Sequence, residues 1–226
     1  MSEFSQSKFA AKLQNVVSQR REESGLYKEI AEKLPLASAG RLLDVGTGSG
    51  LQLKVIHEME PNLELYGLDL SEASILVAKK NLKKLDVDLR VGSIESPPYE
   101  NDFFDWVTCN SSMSYWKNLQ ACFDEIYRIL KPGGYARLFE PQNDFNIDQV
   151  VKTIRENLAD KSWLRRTAAV ALNKYALTRG QRVGLKLYSQ EELEMVARQS
   201  RFGDQIKIER TTLQKLPIFL QITLMK

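Results

Sequence analysis

Apolar residues change their spacing twice along the chain. Through the first forty residues they recur at intervals of three and four: Phe9, Leu13, Val16 and Val17, then Leu26, Tyr27, Ile30, Ala31 and Leu34 up to Pro35. That is the spacing of helix faces. From Arg41 the apolar residues gather into short runs, and residues 41–45, 63–70, 88–91, 104–109 and 135–140 read as buried strands. Residues 49–59, 72–84 and about 117–130 read as the helices between them, the second capped by Ser71 and the third ending before Lys131-Pro132-Gly133-Gly134. Strands alternating with helices of this length require crossover connections and therefore a parallel sheet. After Pro141 the rhythm breaks, and residues 147–180 look helical, with apolar positions at Ile147, Val150, Val151, Ile154 and Leu158. Ser189 followed by Glu192 has the pattern of a capping box. Two strand-like runs, 205–212 and 218–225, close the chain as an antiparallel pair joined through Lys215-Leu216-Pro217. The pattern divides the chain into a helical preface (1–40), an α/β core (41–141), a helical insert (142–188) and a final helix with two strands (189–226).

Composition narrows the chemistry. With 226 residues, 43% hydrophobic and 27% charged, the chain can bury a sizeable core, and disorder, collagen and disulfide scaffolds are excluded. A formal charge of +3 is too slight to imply nucleic acid. His57, Cys109 and Cys122 are the only imidazole or thiol ligands, without CxxC or HxxxH spacing, so no structural metal site is expected. Cys109 in a buried strand and Cys122 on an apolar helix face read as core fillers, and His57 as an exposed helix residue. The chain starts without an apolar leader and holds no run of eighteen apolar residues, which reads as a cytoplasmic protein.

The strongest local signal is Leu42-Leu43-Asp44-Val45-Gly46-Thr47-Gly48-Ser49-Gly50, a strand running into three alternating glycines and then a helix. Glycines there admit positive φ and close approach of a ligand, and the helix N-terminus offers free N–H groups. The dinucleotide fingerprint would need glycine at 51, where Leu51 stands, and no phosphate loop ending in Gly-Lys follows. Asp69, nineteen residues after Gly50 at the end of the second strand, lies where a carboxylate can accept from both hydroxyls of a ribose; its alternative role is a turn aspartate before Ser71.

Asp44 to Gly50, Gly67-Leu68-Asp69-Leu70-Ser71, Phe103-Phe104-Asp105-Trp106-Val107 and the run from Glu125 through Lys131-Pro132-Gly133-Gly134 together resemble the class I S-adenosylmethionine-dependent methyltransferases, in particular the ubiquinone/menaquinone-type branch. The resemblance covers about residues 40–141. It implies a Rossmann-like α/β fold: a seven-stranded, mostly parallel sheet with an antiparallel final strand, helices on both faces and a helical lid. It also implies S-adenosyl-L-methionine as cofactor and S-adenosyl-L-homocysteine as product. By the same resemblance the loop Gly46, Thr47, Gly48, Ser49 and Gly50 cradles the methionine part, and Asp44 anchors the loop and holds the ammonium group. Asp69 takes the ribose diol, Leu70 meets the adenine face, and Asn110 and Ser111 lie beside the sulfonium. Where the family carries an aspartate for the adenine amino group this chain has Ser93, which leaves adenine selectivity to the backbone at Ile94. Tyr27 closes over the cofactor, and the preface (1–40) and the insert (142–188) serve as lids, the insert on the substrate side.

The expected reaction is in-line methyl transfer to an O, N or C nucleophile of a small molecule, and no catalytic residue is identified. Relatives carry histidines after the fourth strand; here the segment reads Ser112-Met113-Ser114-Tyr115-Trp116. Tyr115, Trp116 and Glu140 are the candidates for the acceptor side, the aromatics as a wall for a flat or cationic acceptor. Between Asp148 and Lys186 nine basic residues face three acidic ones, with Trp163, Leu164, Val170, Leu172, Tyr175 and Leu177 interleaved. Such a basic amphipathic stretch suits an anionic acceptor, a membrane surface carrying a prenylated quinone precursor, or RNA phosphates, of which a small acceptor is preferred and nucleic acid disfavoured. A non-catalytic S-adenosylmethionine-binding regulatory subunit is the alternative from another class.

Overall fold

The computed structural model describes residues 8–157 and 186–226, together with 162, 163, 167 and 171. Its elements run α1 (Lys8–Glu23), α2 (Leu26–Glu32), β1 (Gly40–Val45), α3 (Leu51–Met59), β2 (Leu63–Asp69), α4 (Glu72–Asn81), β3 (Val87–Val91), β4 (Phe104–Asn110), a 3₁₀ turn (Met113–Tyr115), α5 (Leu119–Ile129), β5 (Leu130–Pro141), α6 (Ile147–Asn157), α7 (Gln190–Gln199), β6 (Ile206–Leu213) and β7 (Leu216–Met225).

Seven strands form one sheet in the order β3-β2-β1-β4-β5-β7-β6. β1 pairs in parallel with both β2 and β4, β2 with β3, and β4 with β5, while β7 runs antiparallel between β5 and β6. The expected sheet is therefore present. The reversal of strand order lies at β1, whose neighbours on either side come later in the chain, so the crevice at its carboxyl end is where such sheets take ligands. β1 is central and apolar on both faces, with Leu42 and Leu43 fully buried. Apolar side chains from α5 and α7 pack on one face of the sheet, and those from α2, α3 and α6 on the other.

Two boundaries differ from the sequence reading. Lys131 to Gly134 does not separate α5 from a later strand: β5 begins at Leu130, opposite Phe104, and the four residues bulge out before Tyr135 meets Trp106. The last two strands join not through Lys215-Leu216-Pro217 but at Gln214-Lys215, both in the left-handed region (φ 55 and 60) inside a turn closed by the Leu213–Leu216 pair. Left-handed residues at both centres match the right-handed twist of the flanking strands, and here the strand pairing imposes them without glycine. Of the helix expected over 147–180, α6 accounts for 147–157, and most of the remainder lies outside the described residues. Among the described residues no helix is long and apolar enough to cross a membrane.

Candidate functional site

At the carboxyl end of β1 the chain turns over the neighbouring strand. The amides of Gly46 and Thr47 both donate to the Leu68 carbonyl, at 2.7 and 3.1 Å. Gly46 and Gly48 have φ of 72° and 54°. A Cβ on Gly46 would stand 2.4 Å from Ser112 Oγ. That hydroxyl donates to the Val45 carbonyl (3.2 Å) and lies 2.8 Å from Cys109 Sγ, so it is fixed in place. Glycine at 46 is thus required by the sign of φ and by the approach of the segment after β4.

Asp69 ends β2 and works in two directions: Oδ2 accepts from the Gly48 amide (2.9 Å) and Oδ1 from the Ser71 amide (2.8 Å). The turn role and the loop role coexist, because each carboxylate oxygen accepts one N–H and retains a second lone pair. Burial pushes the Asp69 carboxyl above its usual range, against both backbone hydrogen bonds. Asp44, 3% exposed beneath the loop, is pushed up to about 7, chiefly by burial and further by the charge of Asp69. The Thr47 hydroxyl, the nearby group that favours the ionised form, makes no hydrogen bond of full geometry.

These groups open onto a cleft of about 550 Å³. Asp44, Gly46, Thr47, Gly48, Asp69 and Leu70 line it, and so do Ser93, Ile94, Asn110, Ser111, Tyr27, Tyr115 and Trp116. Ser49, Gly50 and Glu140, expected in the site, stand behind it. Gly50 caps α3, where a Cβ would meet Leu82 at 2.7 Å. The Ser49 carbonyl accepts from Asn81 Nδ2 (2.9 Å). Glu140, 1% exposed, lies under the 3₁₀ turn and accepts from the Met113 amide (3.0 Å).

The acceptor side is built by the segment after β4. Ser111 takes a left-handed φ of 55°, its amide donates to the Phe139 carbonyl (2.8 Å), and its hydroxyl donates to Asn110 Oδ1 (3.0 Å). Tyr115 is 47% exposed, while Trp116 both lines the cleft and meets Phe123 edge-on at 6.3 Å. Ser93 Oγ accepts from the Glu95 amide (3.1 Å), a local turn bond. Glu95 in turn accepts from the amides of Lys117 (2.9 Å) and Asn118 (3.0 Å), fixing the entrance to α5.

The sequence assigns the amino-terminal helices to a lid without naming which residues of α1 face the site. Gln14, Val17, Ser18 and Arg21 line the cleft, and their spacing of three, four and seven places them on one helix face. The stripe shares only Val17 with the apolar residues that mark the helix, although it carries the same period. α1 is tied down by Asn81 Nδ2 donating to Asn15 Oδ1 (2.9 Å) and by Lys54 with Glu22 (2.7 Å). Gln52, Ser71, Ser74, Glu95, Ser112 and Lys117 are further cleft residues that were not foreseen. Cys109 and Cys122 are fully buried, as expected of core fillers. His57 is half-buried rather than exposed and does not line the cleft.

Residues 43–138 match the family model described as a methyltransferase domain. That stretch is the α/β core, from β1 to β5, whose strand ends form the cleft. The protein is 33% identical over 106 residues to the uncharacterized methyltransferase YdaC of Bacillus subtilis, covering 47% of this chain and 59% of that one. It is 30% identical over 96 residues to the ubiquinone/menaquinone biosynthesis C-methyltransferase UbiE of Desulfotalea psychrophila, covering 42% of this chain and 39% of that one. The chain thus spans between about two fifths and three fifths of the length of these relatives. A SAM-dependent methyltransferase from Aquifex aeolicus shares the fold with a TM-score of 0.64 at 16% identity, over 93% of this chain and 97% of that one. The resemblance read from the four motifs is therefore borne out.

The cleft suits the cofactor of such a domain. A turn with left-handed glycines, a carboxylate with spare lone pairs at the end of β2, a buried carboxyl below and an unpartnered Thr47 hydroxyl match a ligand carrying a diol, an ammonium group and a sulfonium.

Proposed function

We propose that the protein is an S-adenosylmethionine-dependent methyltransferase acting on a small molecule. The observation that carries this reading is Asp69, clamping the Gly48 amide while facing the same cleft as the turn and the Tyr115–Trp116 wall. The cofactor, when bound, supplies an electrophilic methyl group on sulfur. The chain's part is to hold, orient and exclude water, which provides much of the rate of an in-line displacement. Asp69 accepts from the ribose hydroxyls, Asp44 in its ionised form offsets the ammonium group, and Leu70 and Ile94 flank the adenine. Ser93 Oγ already accepts from the Glu95 amide and, uncharged, is a weaker acceptor than a carboxylate for the adenine amino group, so base selection falls mainly on the backbone around Ile94. Asn110 and Ser111 border the point of transfer, Tyr115 and Trp116 form the acceptor's wall, and Tyr27 with α1 closes the top.

Among the described residues no histidine lines the cleft, and Cys109 is buried with its thiol pushed well above its usual range. Transfer here relies on positioning, which suits a nucleophile that needs little deprotonation. The UbiE-type relatives favour one second reading, a prenylated quinone precursor met at a membrane surface through the basic 148–186 segment. Most of that segment lies outside the described residues.

Calorimetric titration with S-adenosylmethionine and S-adenosylhomocysteine tests the reading. Micromolar binding is expected, with Asp69→Ala weakening it by about 10- to 100-fold through loss of hydrogen bonds to a charged group, on the order of 1.5–3 kcal/mol. Gly48→Val forces a β-branched side chain into a left-handed φ of 54° that such residues rarely adopt, and weakens binding as sharply. Full binding by both variants would overturn the site. Binding without homocysteine-product release from any phenol, amine or quinol would favour the regulatory subunit.

A further inference from the structure

The segment that builds the acceptor wall is tied down at successive points. The Ser111 amide bonds to Phe139, the Ser112 hydroxyl bonds to Val45, Met113 is fully buried, and the Lys117 and Asn118 amides bond to Glu95. Between them, the 3₁₀ turn that carries Tyr115 hangs on one side chain, Glu140 at the end of β5, whose Oε2 accepts from the Met113 amide at 3.0 Å. Glu140 is 1% exposed and, among the described residues, has no cation within ion-pair distance. Its opposite neighbour on β7 is the apolar Leu220. A glutamine could accept the same amide without the cost of burying an ionisable group. A carboxyl there adds something an amide lacks: it holds or releases a proton, and with it changes how many N–H groups it can gather.

We propose that Glu140 is a positioning residue of the acceptor side, its carboxyl setting the 113–115 turn and thereby the place of the Tyr115 ring in the cleft wall. The inference rests on reading the cleft as the site of methyl transfer. Ionised, both Glu140 oxygens accept and draw in the amides of the turn. Protonated, one oxygen becomes a donor and that grip loosens. Burial pushes this carboxyl up to about 8, opposed by hydrogen bonding from the turn and by the positive charge of Arg21 on α1. Among the described residues the other titratable groups facing it are Cys109 on β4, Tyr115 on the turn and Tyr188 after the insert, all with their protons held more firmly than usual, chiefly by burial. They stay neutral while Glu140 titrates, so the turn follows one proton.

The test is nuclear magnetic resonance of the full chain, with ¹⁵N on the backbone and ¹³C on tyrosine rings, from about pH 6 to about pH 9.5. Tyr115→Phe identifies the ring signal. In the wild type the Met113 amide and the Tyr115 ring are expected to shift with one shared midpoint near 8. In Glu140→Gln both are expected to be flat, while S-adenosylhomocysteine affinity stays within about threefold of wild type. A Tyr115 signal that ignores the Met113 midpoint, or a shared titration that survives in Glu140→Gln, would overturn the proposal. Should that variant fail to fold, the wild-type comparison of the two signals decides alone. Failure of both proteins to bind S-adenosylhomocysteine would sink the cofactor reading, and the shared midpoint would still judge the tether.

Discussion

Gly46 shows how tightly a single position can be specified. Its φ of 72° excludes most side chains, and the Ser112 Cβ and Oγ stand at 2.5 and 2.4 Å from where its own Cβ would be. Gly46→Ala is expected to cost about 2–4 kcal/mol, read as a fall in melting temperature, and Ser112→Ala does not rescue it because the Ser112 Cβ is itself in the way. Asp44, buried beneath the same loop, governs binding as well. With its carboxyl pushed up to about 7 by burial, it is largely neutral at pH 6 and must lose a proton before it can offset an ammonium group. Affinity for S-adenosylmethionine should therefore rise with pH through about 7, by up to about tenfold per unit below that point, and level off above it. Calorimetry of Asp44→Asn should give weaker and pH-independent binding over the same range; an unchanged slope in that variant would assign the proton elsewhere.

The two amino-terminal helices look alike in sequence and serve different ends. α2 places Leu26, Tyr27, Ile30 and Ala31 in the core, whereas among the described side chains of α1 Ala11 and Ser18 are buried and Val16 and Val17 remain 45% and 40% exposed. α1 is a cover held by polar bonds, α2 a structural support. Removing residues 1–23 should weaken cofactor binding by about tenfold or more while shifting the melting temperature by only a few degrees, and removing residues 1–35 should abolish cooperative unfolding. Equal effects of the two truncations would contradict this division. The contrast also marks what could be read from the chain. Strand runs such as 41–45 and 104–109 are legible because a central parallel strand must be apolar on both faces, and the site residues at strand ends are legible because the glycine turn fixes them. The α1 cleft face was not legible, since polar residues at helical spacing look like solvent exposure until a cleft is seen beneath them. Glu140 was placed in the cleft wrongly for a related reason: a strand-end position gives the layer a side chain occupies, not whether a turn folds over it.

Among the described residues the two carboxyls most strongly raised by burial lie at one place, the carboxyl end of the sheet. Asp44 and Glu140, on β1 and β5, are both buried there, raised from 3.8 to about 7 and from 4.5 to about 8, mainly by desolvation. The folded chain therefore holds two protons that the unfolded chain has already released between about pH 4.5 and pH 7 to 8. Wherever the folded state binds more protons, stability falls as pH rises, so this contribution is complete below about pH 4 and is lost as pH climbs through 7 and 8. Unliganded protein should melt at a lower temperature at pH 9 than at pH 6, the reverse of a fold anchored by well-paired carboxylates. S-adenosylmethionine brings positive charge to that end of the sheet, so saturating cofactor should stabilise more at pH 8 than at pH 6 and flatten the profile. Scanning calorimetry at several pH values, with and without cofactor and in Asp44→Asn and Glu140→Gln, reads this directly. Each variant should remove part of the slope, and a melting temperature that holds steady or rises from pH 6 to pH 9 in the wild type would show that the two carboxyls do not carry the burden their burial implies.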